Sequence, residues 1–560
     1  MTADVAQIGT QLSQPASAWM QSYDPLHHWW LSAGLAALPI VILLGTIALL
    51  KIKAHIAALL ALGSALLIAL ALFHMPAGLA LLSTGYGIAY GLFPVCWIVI
   101  PILFLYQLTV RAERFDLLRN SLVNVTADSR LQLLIIAFAF GAFFEGASGF
   151  GTPVAVCGAI LVGLGFKPVR AAGLALLANT APVAFGSLGI PIVALHGVTG
   201  FDMLLLSKII GRLLTPFCFI IPFWLIWASS GFEQMLEVWP AALLAGATFG
   251  ITQLLISNLH GPWLVDIGAA LITIIVLIGF LKFWSPKVIR NADGVPITVR
   301  NIRTKATAGQ LFYAWGPWLL LTVFIILWGS PAFARIAELV TVKVPVPGLQ
   351  SHVLRTPPIV STPVFEPAIF IFNWISAAGT GIFVAAVTAG FLMKLSPRAI
   401  AGTFFHTIGQ ARFTILTISA MMALGFLARY CGLDATLGLA FARTGVLYPF
   451  FGTFVGWVGT ASTGSDTSSN VLFGSLQKMT AQQIHVSPLL MCSANSSGGV
   501  MAKMVSPQSI VIASTATQSY GSESSILKFV FFHSIALAAL MGLAVTLAAY
   551  AYPFTRIVAH

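Results

Sequence analysis

Charged residues are scarce in this chain. Only 8% of its 560 residues are Asp, Glu, Lys or Arg, whereas 58% are hydrophobic. Because a soluble protein carries about 25% charged residues, the composition excludes a water-soluble protein of this size, and it also excludes a disordered chain. We therefore expect an all-α polytopic protein of the lipid bilayer, made mostly of spans and short loops.

Signals for cofactors are also missing. The five cysteines are scattered through apolar stretches without metal-ligand spacing, and their odd number argues against a disulfide framework. The sequence contains no phosphate-binding loop and no haem motif, so ATP is not expected to be the energy source. We predict no cofactor and no metal, which disfavours a primary pump or a redox enzyme. The first 30 residues lack Lys and Arg, and we expect no cleaved signal peptide.

Basic residues outnumber acidic ones by 28 to 16. They lie between apolar runs, so the positive-inside rule explains them better than a nucleic-acid partner does. The apolar runs predict about twelve crossings and two re-entrant hairpins, with both termini outside. The predicted parts are an external segment 1–30, a first membrane half 31–283, a cytoplasmic loop 284–309, and a second half 310–560 that contains an external loop 330–373.

Two pairs of interrupted apolar segments repeat along the chain. Gly and hydroxyl clusters break each predicted hairpin, 131–166 and 444–480, and a broken helix follows each one, at 170–195 and 488–513. An odd number of crossings separates the pairs, so they form an inverted-topology repeat, which is typical of secondary transporters. The alternative is two unrelated sets of helices whose small residues allow close packing.

The breaks predict a binding site near the middle of the membrane. Each break frees backbone N–H and C=O groups, which costs several kcal/mol per group in lipid unless protein, ligand or water satisfies them. A helix beginning at Thr152 would point its positive end into the membrane, and this end would stabilise a bound carboxylate. The predicted substrate-binding residues are Ser148, Gly149, Thr152, Asn179, Thr180, Ser465, Thr467, Ser468, Asn495, Ser496, Lys503 and Gln508.

Three charged residues fall at membrane depth, where such residues are rare and usually functional. Lys503 is a candidate partner for an anionic substrate, or it forms an ion pair with Glu145 or Asp466, or its amine reaches an interface. Glu145 or Asp466 is a candidate proton carrier, and the alternative for each is a helix cap or an ion-pair partner.

Four motifs in this order resemble the bacterial lactate permease family, which includes L-lactate and glycolate permeases. They are EGASGFGTPV at 145–154, NTAPVAF at 179–185, TGSDTSSN at 463–470 and KMVSPQS at 503–509. The resemblance covers nearly the whole chain. It implies a bacterial plasma-membrane transporter that carries small 2-hydroxymonocarboxylates (L-lactate, D-lactate and glycolate) inward with protons.

Other functions remain open from the residues alone. Unwound carbonyls and Ser, Thr and Asn oxygens would equally suit a sodium-coupled symporter. An anion channel and a membrane-embedded enzyme are further alternatives, although no convincing pair of nucleophile and base argues for the enzyme.

Overall fold

A computed structural model describes residues 18–48, 50, 52–114, 117, 125–147, 149, 151–297, 308–328, 333, 337, 339–360, 362–519 and 522–558. Helices dominate this part of the chain and confirm the all-α prediction. Residue 148 of the predicted site lies outside it.

The first half contains thirteen described α-helices, with π-helical turns at Gly91–Cys96 and Leu134–Phe140 and a 3-10 turn at Val183–Phe185. They are α1 Trp29–Ala48, α2 Ala54–Ala71, α3 Ala77–Tyr90, α4 Trp97–Arg111, α5 Ser129–Leu133, α6 Gly141–Ala147, α7 Thr152–Gly163, α8 Pro168–Ala178, α9 Gly186–Thr199, α10 Met203–Ser230, α11 Phe232–Leu236, α12 Trp239–Leu259 and α13 Val265–Phe280.

The second half contains nine described α-helices, with 3-10 turns at Gly445–Leu447, Lys503–Val505 and Phe554–Val558. They are α14 Ala308–Trp328, α15 Ala378–Leu392, α16 Pro397–Cys431, α17 Leu433–Ala442, α18 Tyr448–Thr463, α19 Asp466–Gln483, α20 Pro488–Ala502, α21 Pro507–Ala516 and α22 Glu523–Tyr550.

The described residues also form five short strands: β1 Trp19–Met20, β2 Val342–Pro345, β3 Val353–Arg355, β4 Val364–Phe365 and β5 Ile369–Phe372. Strand β3 lies between β1, with which it is parallel, and β4, with which it is antiparallel, and β2 pairs with β5. The two predicted external segments, 1–30 and 330–373, therefore contact each other.

Several helices are long and apolar enough to cross a bilayer. Within the described residues there are six, or seven if a pair of helices bent by 66° counts as one span. The bent pair is Pro168–Ala178 with Val183–Thr199. Seven further apolar helices of 10–17 residues accompany them. These lengths confirm a multi-pass membrane protein, while the number of crossings and the sidedness stay predictions.

The two predicted repeats have the same order of elements. The first repeat begins with the helical segment from α5 to α6, and then has a break, α7, α8, a 3-10 turn and α9. The second repeat begins with α18, and then has a break, α19, α20, a 3-10 turn and α21. The repeats interlock, because α9 packs on α19 and α21 packs on α7. This exchange brings the breaks of both repeats to one region.

Loops predicted to be cytoplasmic also meet. Asp128 binds Arg130 at 2.7 Å, and Glu237 binds both Arg130 at 2.5 Å and Arg290 at 2.7 Å. The network joins the chain before α5, the turn before α12 and the segment after α13. Hydrogen bonds from Arg290 and Arg130 lower the pKa of the Glu237 carboxyl from 4.5 to about 2.

Candidate functional site

The breaks of both repeats enclose a cavity of about 120 Å³. A single water molecule needs a cavity of roughly 10–15 Å³. This cavity therefore has room for a small molecule. Helices α1 and α16 complete its wall. The lining residues are Leu43, Glu145, Gly151, Val183, Gly186, Ser187, Ile190, Pro191, Thr414, Thr417, Ile418, Met421, Thr463, Gly464, Ser465, Asp466, Thr467, Ser468, Lys503, Gln508, Ser509 and Ile512.

Two helices of the second repeat begin at this cavity. The side chain of Ser465 caps α19 by accepting a hydrogen bond from the backbone N–H of Ser468 at 3.2 Å. Ser506 caps α21 in the same way through the N–H of Ser509, also at 3.2 Å. The positive ends of both helices thus lie at the cavity wall, which favours an anion there.

A third helix, α7 of the first repeat, also begins at the cavity. Gly151 precedes it with φ of 87°, a left-handed conformation that glycine adopts readily. A Cβ at this glycine would approach the Ile512 side chain of α21 to 2.5 Å. The glycine therefore permits close contact between the hairpin of one repeat and the broken span of the other.

Lys503 and Glu145 form a buried ion pair at the cavity wall. The lysine Nζ lies 2.9 Å from Glu145 Oε1, and the two side chains are 10% and 3% exposed. Glu145 Oε2 is buried and accepts no hydrogen bond from the described residues. The ion-pair alternative considered for Lys503 is thus present in this state of the protein, and the pair faces the space where a substrate would sit.

Asp466 also lines the cavity and has polar partners there. Its Oδ2 accepts hydrogen bonds from Ser496 Oγ at 2.6 Å and from Asn470 Nδ2 at 3.2 Å. Gly499 leaves room for the carboxylate, because a Cβ there would overlap Asp466 Oδ1 and lie 2.7 Å from Thr460 Oγ1. These contacts hold the carboxylate in place beside the cavity.

Asn495 does not line the cavity and instead belongs to a chain of hydrogen-bonded, buried amide side chains. It donates to Asn470 Oδ1 at 3.0 Å and accepts from Gln477 Nε2 at 3.1 Å. Gln477 in turn accepts a hydrogen bond from the hydroxyl of Tyr448 at 2.8 Å. This network joins α18, α19 and α20 to one another, so Asn495 supports the site from the second layer.

The break of the first repeat holds buried polar atoms that lack partners. Both amide atoms of Asn179 and the hydroxyl of Thr180 make no hydrogen bond with the described residues. Native proteins leave few such groups, and each needs an explanation, such as an ion or a ligand. These two residues follow the C-terminal end of α8, where carbonyl groups favour a cation.

The start of α9 has an unusual backbone. Ser187, Leu188 and Gly189 have φ values of 46°, 57° and 77°, so three consecutive residues are left-handed. Such conformations cost about 1–3 kcal/mol each for residues other than glycine and gather at functional sites. The run turns the chain at the cavity wall before the regular part of α9 begins.

The structure brings together Glu145, Ser465, Asp466, Thr467, Ser468, Lys503 and Gln508 at the cavity. Gly149, Thr152, Asn179, Thr180, Asn495 and Ser496 do not line it. Of these, Ser496 still contacts the site through its hydrogen bond to Asp466.

Sequence reasoning missed some lining residues. Thr414 and Thr417 of α16 line the cavity, and their spacing of three residues places both on one helix face. That spacing was a detectable signal within an apolar span. Asp266 in α13 does not line the cavity but was also missed: its carboxylate is buried near Glu145, and no neighbouring motif marks it.

A family model described as L-lactate permease matches residues 32–552. The glycolate permease GlcA of Escherichia coli K12 is 43% identical over 551 residues, covering 95% of this chain and 98% of that protein. The L-lactate permease of the same strain is 44% identical over 542 residues, with the same coverage. The L-lactate permease of Bacillus subtilis is 41% identical over 550 residues, covering 93% and 97%.

Two solved transporter structures are also similar. MtrF of Neisseria gonorrhoeae, from a class of antimetabolite efflux pumps, has a TM-score of 0.44 and 11% identity, covering 84% of this chain and 82% of its own. The YdaH transporter of Alcanivorax borkumensis has a TM-score of 0.41 and 12% identity, covering 83% and 88%.

Proposed function

Since the chain belongs to the L-lactate permease family, we propose that it takes up L-lactate, D-lactate and glycolate across the bacterial inner membrane by proton symport. It is a multi-pass membrane permease and not an enzyme. The substrates are those in the names of its relatives, extended to D-lactate by the family resemblance of its motifs. The coupling ion is inferred from the charges around the cavity.

The cavity suits a small carboxylate. The positive ends of α7, α19 and α21 meet there, and Lys503 supplies a full positive charge. Thr467, Thr414 and Thr417 line the same space, and their side chains carry hydroxyl groups of the kind that hydrogen-bond a 2-hydroxyl group. Together these groups match the two polar ends of a 2-hydroxymonocarboxylate.

The Lys503–Glu145 pair is the observation that carries the coupling proposal. A substrate carboxylate that binds Lys503 displaces Glu145, and Glu145 then lies buried without a cation. An unpaired buried carboxylate is costly and takes up a proton instead. Substrate binding and proton binding thereby favour each other. Asp466, buried at the start of α19, is the second candidate proton carrier.

Transport follows from the interlocked repeats. Because α9 packs on α19 and α21 packs on α7, movement of one repeat against the other changes which side of the cavity is covered. Neutralising the site with substrate and proton removes the charge that would oppose this movement through an apolar surrounding.

A sodium-coupled symporter is the second candidate. The unpartnered Asn179 and Thr180 oxygens, next to the carbonyl end of α8, are suitable ligands for Na⁺. An anion channel is the less favoured alternative, and it would conduct without concentrating its substrate.

Uptake by the purified protein in proteoliposomes tests the proposal. Labelled L-lactate is supplied in sodium-free buffer with an inward proton gradient, with and without a protonophore. We expect transient accumulation that the protonophore abolishes, and competition by D-lactate and glycolate. Accumulation driven only by a sodium gradient at uniform pH would replace protons by sodium, and equilibration without accumulation would indicate a channel.

A further inference from the structure

Another buried carboxylate, that of Asp266, lies close to Glu145. Asp266 is in the first turn of α13, its residue is 1% exposed, and neither of its carboxylate oxygens has a hydrogen-bond partner among the described residues. More than 90% of buried polar groups have such a partner, so a carboxylate with none calls for a reason. It does not line the substrate cavity, and no motif of the chain includes it.

The surroundings of Asp266 place it next to the ion pair. Helix α13 packs on α6, which carries Glu145. A Cβ added to Gly146 would lie 2.8 Å from the Cβ of Asp266, so the glycine permits this close approach. The charged and titratable groups that act on Asp266 are Glu145, Lys503 and the thiol of Cys218.

The charges of this region do not balance when both carboxylates are ionised. Lys503 is hydrogen-bonded to Glu145, and within the described part of the chain Asp266 has no salt bridge to another cation. Burial of an ionised carboxylate without a paired cation is unfavourable, which favours a bound proton on Asp266. Its position in the first turn of α13 opposes this, because the positive helix end favours the ionised form. The two effects leave both forms of the carboxyl accessible.

We propose that Asp266 is a proton relay that exchanges a proton with Glu145 from outside the substrate cavity. The proposal rests on the proposed proton symport. When substrate displaces Glu145 from Lys503, the O–H bond of Asp266 breaks and an O–H bond forms on Glu145. The ionised Asp266 then regains a proton that enters from the external solution as hydronium and leaves water behind. On the orientation predicted from basic residues, α13 begins near the external face, which is the side of proton entry.

The relay separates the proton path from the substrate path, and this separation makes it testable. Purified Asp266→Asn protein is compared with wild type in two proteoliposome assays: L-lactate accumulation driven by a proton gradient, and L-lactate exchange at uniform pH. Asparagine has nearly the shape of a protonated aspartate and cannot transfer the proton. Exchange at uniform pH moves the loaded protein back and forth with its proton retained, so it needs no net proton transfer, and we expect exchange within about twofold of wild type. Accumulation needs that transfer, and we expect it to fall at least tenfold, to the equilibrium level.

Asp434→Asn is the matched control. Asp434 is also buried with one unpartnered oxygen, but its neighbours are Arg355, Glu366 and Arg429 near the β-strands. We expect this variant to accumulate L-lactate. Normal accumulation in Asp266→Asn would overturn the relay, and loss of exchange as well would overturn it in favour of a structural role. If wild-type protein itself shows no proton-driven accumulation, the proposed symport fails instead.

Discussion

Replacing Lys503 with alanine tests the substrate contact most directly. A hydrogen bond between charged groups contributes about 1.5–3 kcal/mol, and each 1.4 kcal/mol is a factor of ten in affinity. If Lys503 binds the substrate carboxylate, the apparent dissociation constant for L-lactate should rise roughly 10- to 150-fold. The measurement is L-lactate exchange in proteoliposomes over a range of concentrations, which needs no ion gradient.

The buried pair complicates this single change. Removing one partner of a buried ion pair costs about 3–5 kcal/mol because the other charge stays behind. Lys503→Ala leaves Glu145 in that position, with its side chain 3% exposed, so lowered affinity could come from a damaged fold. The double variant Lys503→Met with Glu145→Gln removes both charges and keeps the volume.

The two explanations give different results for the double variant. If Lys503 binds substrate, the double variant regains thermal stability relative to Lys503→Ala and still binds L-lactate weakly. If the lysine serves only the pair, stability and affinity both return. Wild-type affinity in the double variant would therefore refute the substrate contact.

Three further predictions concern other parts of the molecule. Asp466→Asn keeps an acceptor for Ser496 but loses a titratable group, so proton-driven accumulation should disappear while exchange persists; normal accumulation would remove Asp466 as a carrier. Gly499→Ala should weaken L-lactate binding at least tenfold because its methyl group overlaps Asp466, whereas Gly63→Ala, with nothing within 4 Å, should bind normally. The Arg290 hydrogen bond lowers the pKa of Glu237 in the folded state, so the ionised carboxylate stabilises the fold fully above pH 4.5 and loses this contribution as the pH falls toward about 2. Glu237→Gln should therefore reduce the change of the unfolding temperature with pH over this range, measured by thermal unfolding in detergent.

The fold class could be predicted from composition, and the pairs of breaks from Gly and hydroxyl clusters. The order of elements around Thr152 and Asp466 follows from the same local signals, since a capping residue or a glycine interrupts an apolar run at each place. These features depend on residues that are close together in the sequence, and they can therefore be predicted from it.

Contacts between segments that are distant in sequence could not be predicted from the sequence. Asn495 has the residue type of a ligand contact, yet its partner Gln477 places it in a structural network. Asp266 is distant in sequence from Glu145, and only the packing of α13 on α6 makes them neighbours. Thr414 belongs to a span that carries no break, so its place at the cavity depends on how α16 crosses the repeats.

The interlocked repeats also constrain how the protein is made. Helix α9 packs on α19, which begins about 270 residues later in the chain. At a synthesis rate of about 5–20 residues per second, the first repeat waits roughly 15–50 s for that partner. During this interval the polar break of the first repeat, with Asn179 and Thr180, is in the membrane without the helices that later enclose it. Biogenesis therefore depends on something that shelters an unfinished polar surface in lipid, such as the insertion machinery or water drawn in beside it.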